Sequence, residues 1–427
     1  MPKYFGTDDA LKKLKRFHSF EYDLLCHVIG FVPNISTFEG KCTLVRHSYE
    51  DLKRTRAIRE RIQDFGVVHP EKQIQEAWSN VVRHLMTASD EDYFIATVYR
   101  VIKPFQVHAY RTYIESTLHL NDAPSVEAFE DHLPALERQI AWGKQWIEAG
   151  NIGYEKEQEI EKFEDEIREH IHCLGDLYQS SDEQGAATEI PVYPEFTIPT
   201  DMKLEPRFVW RSAERIYDTL TGGVESPAHH SYTHFTELPV IDICATIVYD
   251  GRHMPFEYIA DFVRQTWDEV RHSRMGFSRL QSMGIDPYQV PIPVGHYRAY
   301  CGVPLLERIS ALTQVGEACS FAPKRAWVKM AMENGDRLTA LEHDFDMVDE
   351  KNHVKFGARW LKEIMDVNKE TRTPEQVVSD AEWAVRNIVN DLKKEKGEKW
   401  QEDLGERFTS CAESESPLNL APKIIIS

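Results

Sequence analysis

Asp349-Glu350-Lys351-Asn352-His353, read beside Asp268-Glu269-Val270-Arg271-His272, decides the fold of this chain. On a helix, residues i and i+3 share a face, so each Glu–His pair can offer a carboxylate and an imidazole to one metal ion. A single ExxH match is weak, because 427 residues with 18 histidines produce such pairs by chance. A third match, Glu169-His-Ile-His172, lies in a highly charged segment and reads as accidental. The other two have context. Glu237 precedes Glu269 by almost the same interval as Glu317 precedes Glu350. That interval is one helix, a short turn and half of the next helix. Glu269 and Glu317 are more widely separated, and the run 284–302 between them is rich in Pro, Gly and Tyr. Such spacing suits one long crossover joining two helical hairpins.

Four helices contributing Glu, ExxH, Glu and ExxH carry the ligand pattern of carboxylate-bridged di-iron and di-manganese centres. With that pattern the sequence resembles the ferritin-like di-metal carboxylate superfamily. Within it, the chain is most similar to an uncharacterised ferritin-like family with segments of the form HFxE, DExRH and DExxHVxxGxRW. The matching residues are His234-Phe-Thr-Glu237, Asp268 to His272 and Asp349 to Trp360, so the resemblance covers about residues 207–367. It implies an all-α fold: a ferritin-like four-helix bundle with the long crossover between its second and third helices. It further implies that Glu269 and Glu350 bridge two metals, with Glu237 and His272 completing one and Glu317 and His353 the other. These six are the candidate metal-ligating and catalytic residues.

Ligating histidines usually donate their second nitrogen to a carboxylate. Asp268 and Asp349 are the candidates, each reaching the histidine of the opposite hairpin, with Arg271 neutralising them. The implied cofactor is two Fe ions, with Mn/Fe as the alternative, and O2 as co-substrate. Pro239 complicates Glu237, since a helix that begins at Pro239 leaves Glu237 outside it and makes Asp242 the substitute. Asp346 and His343 lie four and seven residues before Glu350, near the ligand face, and either could add a ligand. His229, His230 and His234 read as a loop or capping cluster, or else as an outer support of the site or a contact to substrate. Trp267, Tyr249, Tyr258 and Trp360 read as core in preference to redox relays.

Composition bounds the function. Lys and Arg total 50 against 70 Asp and Glu, a formal net charge of −20. A surface this acidic repels phosphate backbones and anionic membranes, although ligating carboxylates also count in that total. Seven scattered cysteines without a CxxC pair fit reduced thiols in a cytoplasmic protein and exclude a zinc ribbon or a rubredoxin-type iron module. The N-terminal residues lack an apolar signal core, and no apolar run reaches the roughly 20 residues of a membrane span.

The expected organisation is an N-terminal helical domain over 1–178, a Pro-rich linker over 179–206, the di-metal domain over 207–400 and a tail over 401–427. The linker could be extended and packed, since Val192, Tyr193, Phe196 and Ile198 are worth burying. Helices are expected at 207–221, 232–250, 254–283, 303–333, 335–367 and 374–395. The N-terminal domain echoes the C-terminal pattern. His18-Ser-Phe-Glu21 is similar to His234-Phe-Thr-Glu237, and Val45-Arg-His-Ser48 to Val270-Arg-His-Ser273, with Leu44 where Glu269 stands. Glu137-Arg-Gln-Ile140, followed by Gly143 and Trp146, is similar to Glu350-Lys-Asn-His353, followed by Gly357 and Trp360. This half reads as a degenerate second ferritin-like bundle without its ligands, or else as an unrelated helical domain.

The resemblance implies a non-haem di-iron oxygenase or oxidase that activates O2 to hydroxylate, N-oxygenate or desaturate a small organic substrate. Without a dinucleotide fingerprint, the electrons would come from a separate donor, a small reductant or the substrate. A homodimer is compatible with the sequence. The alternatives are iron handling or peroxide scavenging, a binding role on a dead scaffold, and a tRNA-modifying hydroxylase, which the net charge disfavours.

Overall fold

The computed structural model describes residues 4–396 apart from 74, 151, 176, 179–190 and 211–225. Within them the chain is mostly helical. Among the described residues, the one strand pairing is a two-residue parallel contact of β1 (Val209–Trp210) with β2 (Pro291–Ile292). The expected helix at 207–221 lies, from residue 211 on, outside the described residues, as does the expected tail. No helix among the described residues is long and apolar enough to cross a membrane.

The chain divides into two compact units, residues 1–34 with 46–198, and residues 35–45 with 199–427. These limits differ from the expected ones. The described part of the Pro-rich segment is shared out between the units. Tyr193 stacks on His84 at 3.9 Å in unit 1, and the Asn80 side chain donates to the Pro191 carbonyl while accepting from the Tyr193 amide. In unit 2, Tyr297 Oη donates to the Pro199 carbonyl, and Glu205 accepts from the Phe38 amide. Val192 is 84% exposed, against the expectation that it would be buried. Residues 35–45, placed by sequence in the N-terminal domain, group with unit 2.

Unit 1 is built on α1 (Thr7–Gly30), α2 (Phe38–Asp64, whose first residues count with unit 2), α3 (Glu76–Leu85) and α4 (Glu91–Thr97). It continues with a π-helical turn (Val98–Ile102), α5 (Lys103–Ser116), α6 (Ala123–Glu130), α7 (Leu133–Ala149) and α8 (Tyr154–Leu174). Residues 16–30 of α1 are all buried, as a helix central to its unit must be. The charged α8 buries only Ile160, Glu164, Ile167, His170 and Ile171, one stripe at helical spacing.

Unit 2 begins, where described, with α9 (Pro227–Phe235), α10 (Leu238–Asp250) and α11 (Phe256–Ser282). The expected helix over 232–250 is thus two helices. Pro239 has no amide to bond the Phe235 carbonyl, so α9 stops there and α10 starts with Pro239 in its first turn. The crossover holds β2 and α12 (Gly295–Cys301). The expected helix over 303–333 is also interrupted: α13 (Leu305–Ile309) passes through a π-helical stretch (Ser310–Glu317) and a 3₁₀ turn before α14 (Phe321–Glu333). Then come α15 (Arg337–Asn368), whose N-terminus the Asp336 side chain caps, and α16 (Pro374–Lys396).

The π stretch packs where α15 presents Gly357. A Cβ there would lie 1.7 Å from Thr313 Oγ1, so only glycine admits this approach. Unit 1 repeats the device, since a Cβ on Gly143 would lie 2.2 Å from Cβ of Tyr99 in its own π turn. The sequence offset from Gly143 to Gly357 equals that from Tyr99 to Thr313. Among the described cysteines, Cys26, Cys42, Cys173, Cys244 and Cys301 are not disulfide-bonded, whereas Cys319 is, against the expectation of reduced thiols throughout.

Candidate metal centre

Unit 2 brings the six sequence-predicted ligands to one buried place. His272 and His353 are wholly inaccessible, and Glu269, Glu317 and Glu350 are buried. Ligand atoms of Glu237, His272, Asp346 and Glu350 lie within 4.8 Å of one another, and so do those of Glu269, Glu317 and His353. His272 Nδ1 is 3.1 Å from Glu237 and 3.4 Å from Asp346. His353 Nδ1 is 3.3 Å from Glu269 and 3.5 Å from Glu317. Glu269 stands between the halves, with its other oxygen 3.8 Å from His272 Nδ1.

Glu237 occupies the turn between α9 and α10, one residue before α10. The helix break therefore does not remove it from the site, and Asp242 does not replace it. Asp242 is paired with Lys41 at 2.6 Å, both buried. Burial pushes the Asp242 carboxyl up to about 6, with Lys41 acting against the shift. Glu237 is the exception to the burial of the other ligands, its side chain being 19% exposed, so the centre reaches solvent at the α9–α10 joint.

The outer contacts cross between the hairpins. His353 Nε2 is 3.4 Å from Asp268, and His272 Nε2 is 3.4 Å from Asp349. Arg271 donates to Asp268 at 2.6 Å and to Asp349 at 2.9 Å. Arg264, one turn before Asp268, donates to Asp268 at 2.8 Å and to Asp349 at 3.3 Å. Burial alone would raise both aspartates. The imidazoles and these arginines outweigh it and hold both below the usual range. Gln265, one turn before Glu269, donates to Glu317 at 2.6 Å.

Lys324 on α14 is the component that sequence reasoning missed. Its buried ammonium lies 2.5 Å from Asp346, 2.8 Å from Glu350 and 3.8 Å from Glu237. The available signal was its position seven residues after Glu317, two turns on along the same face. Asp346, weighed as an added ligand, is a full member of one half. The aromatic residues pack instead. Tyr258 Oη donates to the Ile247 carbonyl at 2.9 Å and Trp360 Nε1 to Asp261 at 2.8 Å, Tyr249 is buried, and Trp267 lines an outer groove between α11 and α15. Glu169 and His172 are exposed on α8.

Five carboxylates around two imidazoles set the electrostatics. Burial pushes Glu269, Glu317 and Glu350 up to about 7. Burial would lower both histidines, but the carboxylates around them hold them well above the ordinary value. The cluster therefore has a strong affinity for positive charge. It also has unsatisfied polar atoms. Glu237 Oε2, Glu269 Oε1, His272 Nδ1, Glu317 Oε2, Asp346 Oδ1, Glu350 Oε2 and His353 Nδ1 are buried and complete no hydrogen bond. Each such atom costs about 1–3 kcal/mol unless something binds it. Seven converging in one place fit a pair of oxygen- and imidazole-loving cations.

If a metal binds at His272, replacing Asp349 by alanine removes the acceptor of its second nitrogen. Metal affinity of that half is expected to fall about 10–100-fold. Anaerobic titration of the apoprotein with Mn(II) or Fe(II) measures this, and an unchanged affinity would mean that Asp349 does not orient the imidazole.

Unit 1 holds a charged cluster of the same plan. Glu21 accepts from Arg54 at 2.5 Å, from Gln106 at 2.7 Å and from Tyr110. Asp51 accepts from Arg54 at 2.8 Å, from Gln139 at 3.1 Å and from Lys103. At the offset that relates Gly143 to Gly357, Lys103 falls at Glu317, Tyr110 at Lys324 and Gln139 at His353. On α2, Asp51 and Arg54 have the i, i+3 spacing of Glu269 and His272. This register differs from that of the similarities read in the sequence. His47 bonds Tyr99 Oη at 2.7 Å, two turns from Arg54, and Glu137 is exposed against Arg111, its expected place being taken by Leu136.

The family model described as "Protein of unknown function (DUF455)" matches residues 211–396, which contain the whole candidate centre. Neither the curated proteins nor the solved structures contain a match to this chain.

Proposed function

We propose that unit 2 is a ferritin-like four-helix bundle holding two metal ions, Fe/Fe in the first instance, and that the chain is a non-haem di-iron oxygenase or oxidase for a small organic substrate. The observation that carries this reading is the set of seven buried ligand atoms without hydrogen bonds, divided between two groups, with Glu269 of one 3.8 Å from His272 of the other. Glu237, His272, Asp346 and Glu350 would hold one ion, and Glu269, Glu317 and His353 the other. When bound, a ferrous pair supplies two electrons for the reduction of O2.

The chain's own residues do the rest. Asp268 and Asp349 fix the imidazoles with Nδ1 toward the centre. Arg264 and Arg271 keep those aspartates ionised. Lys324 limits repulsion among Asp346, Glu350 and Glu237. The packed helices exclude water everywhere except at the Glu237 edge, where O2 and substrate would enter. Monooxygenation puts one oxygen atom into substrate and releases the other as water, which takes two electrons from a separate donor. We infer in addition that unit 1 is a metal-free copy of the same bundle, with Arg54 and Lys103 in place of a histidine and a glutamate ligand.

The test is to load the purified full chain with Fe(II) without oxygen, count bound iron, and follow the optical spectrum on adding O2. About two irons per chain and a transient absorption band support the reading. A stoichiometry of one or none would sink it.

A further inference from the structure

Beside the ligands of the pair lie two imidazoles that the di-metal reading leaves unused. His234 on α9 and His343 on α15 face each other with ring centroids 4.5 Å apart. Asp346 follows His343 by three residues and shares its helix face. A nitrogen of each imidazole and an oxygen of Asp346 lie within 4.8 Å of one another. Asp346 Oδ2 is 3.2 Å from His234 Nε2. All three residues have no accessible surface.

Neither nitrogen of His343 has a hydrogen bond, and His234 Nδ1 has none. The neighbouring groups do not fill that need. Trp327 lies 5.2 Å from the His343 ring, and His230 stacks on Trp327 at 4.6 Å. A buried imidazole with both nitrogens unused is costly for packing alone. As a metal ligand, it needs one bare nitrogen aimed at the ion. Charge does not decide between the accounts: Glu237, Glu269, Glu317 and Glu350 suffice to balance two divalent ions, and Lys324 is the counter-charge beside Asp346. Two imidazoles and one carboxylate form a donor set for a borderline divalent ion such as Fe(II) or Zn(II), with positions left open.

We propose that His234, His343 and Asp346 hold a third divalent transition-metal ion, with Asp346 shared between it and the half formed by Glu237, His272 and Glu350. The sharing rests on the di-metal reading, whereas the two imidazoles are independent of it. The competing account is that Lys324, 2.5 Å from Asp346 Oδ2, is the resident counter-charge there and that the histidines merely pack.

The full chain is loaded with Fe(II), and in parallel with Zn(II), without oxygen; it is then desalted and its metal counted per folded chain. Wild type is expected to hold about three ions, and His343→Ala and His234→Ala about two each. Circular dichroism checks that the variants fold. Should they not, anomalous scattering from wild-type crystals at the metal edge must show a peak between His234 and His343. About two ions in both wild type and His343→Ala overturns the third site and leaves the pair standing. Three in both also overturns it, because the extra ion then lies elsewhere. A count that rises from two to three only in Lys324→Met overturns it for the native chain, with Lys324 as the resident cation. One ion or none in wild type removes the di-metal reading as well.

Discussion

Replacing Arg54 with alanine is expected to lower the unfolding free energy of unit 1 by about 3–5 kcal/mol. Arg54 donates to Glu21 at 2.5 and 3.0 Å and to Asp51 at 2.8 Å, and the side chains of all three are at most 3% exposed. Truncation strands two carboxylates in a medium that hydrates them poorly. Gln106 and Tyr110 still reach Glu21, and Lys103 still reaches Asp51, but none replaces a guanidinium that bridged both. Urea titration followed by circular dichroism, at a pH where both carboxylates are ionised, measures the loss. A combined Arg54→Met, Glu21→Met variant is expected to recover most of it, because an apolar pair removes the desolvation cost with the charge. A loss below about 1 kcal/mol would be the value of a hydrated surface pair and would contradict the burial described.

Replacing Glu269 with alanine is the change expected to do most damage to the metal centre. One oxygen of Glu269 is 3.3 Å from His353 Nδ1 and the other 3.8 Å from His272 Nδ1, so the residue serves both halves. On the proposed di-iron reading, the iron held by the pair is expected to fall from about two to below one, and any O2 reactivity to fall by more than the roughly 10–100-fold that an outer contact costs. Glu269→Gln keeps the shape and removes the charge, and should fail in the same direction. Asp242→Asn is the control, since Asp242 belongs to Lys41 and lies outside the ligand set. Iron content that stays at the wild-type level in Glu269→Ala would mean that the glutamate does not bind metal.

The parts of the site that were legible in the sequence are those with a fixed helical spacing. ExxH pairs are local, and the glutamates one helix upstream are set by helix length, so six positions could be named before any fold was known. Asp268 and Asp349 were legible for the same reason. Three kinds of information were not. Lys324 faces inward, and a lysine read from sequence alone is assigned to solvent, because nothing local shows that Asp346, Glu350 and Glu237 surround it. Helix interruptions depend on packing. The π stretch at Ser310–Glu317 exists where Gly357 lets the chains approach, a contact between segments far apart in sequence. The register between the halves, on the reading of unit 1 as a copy, was not legible because residue type misled. His47 looked like His272, whereas Arg54 is the residue that faces Glu21, a cation where the other half has a candidate ligand. The boundary between the units falls inside the Pro-rich segment read as a linker, between Ile198 and Pro199.

The π turn at Val98–Ile102 leads into Lys103, a residue that binds Asp51 and can ligate nothing. An extra residue in a helical turn costs hydrogen-bond geometry and tends to persist where it aims a functional side chain. If unit 1 is the metal-free copy proposed above, that return has gone there while the distortion remains. On that reading the irregular turn belongs to the ancestor, the duplication came second, and the exchange of ligands for fixed cations came last, as a fossil that fills itself in while keeping the outline of what it once held.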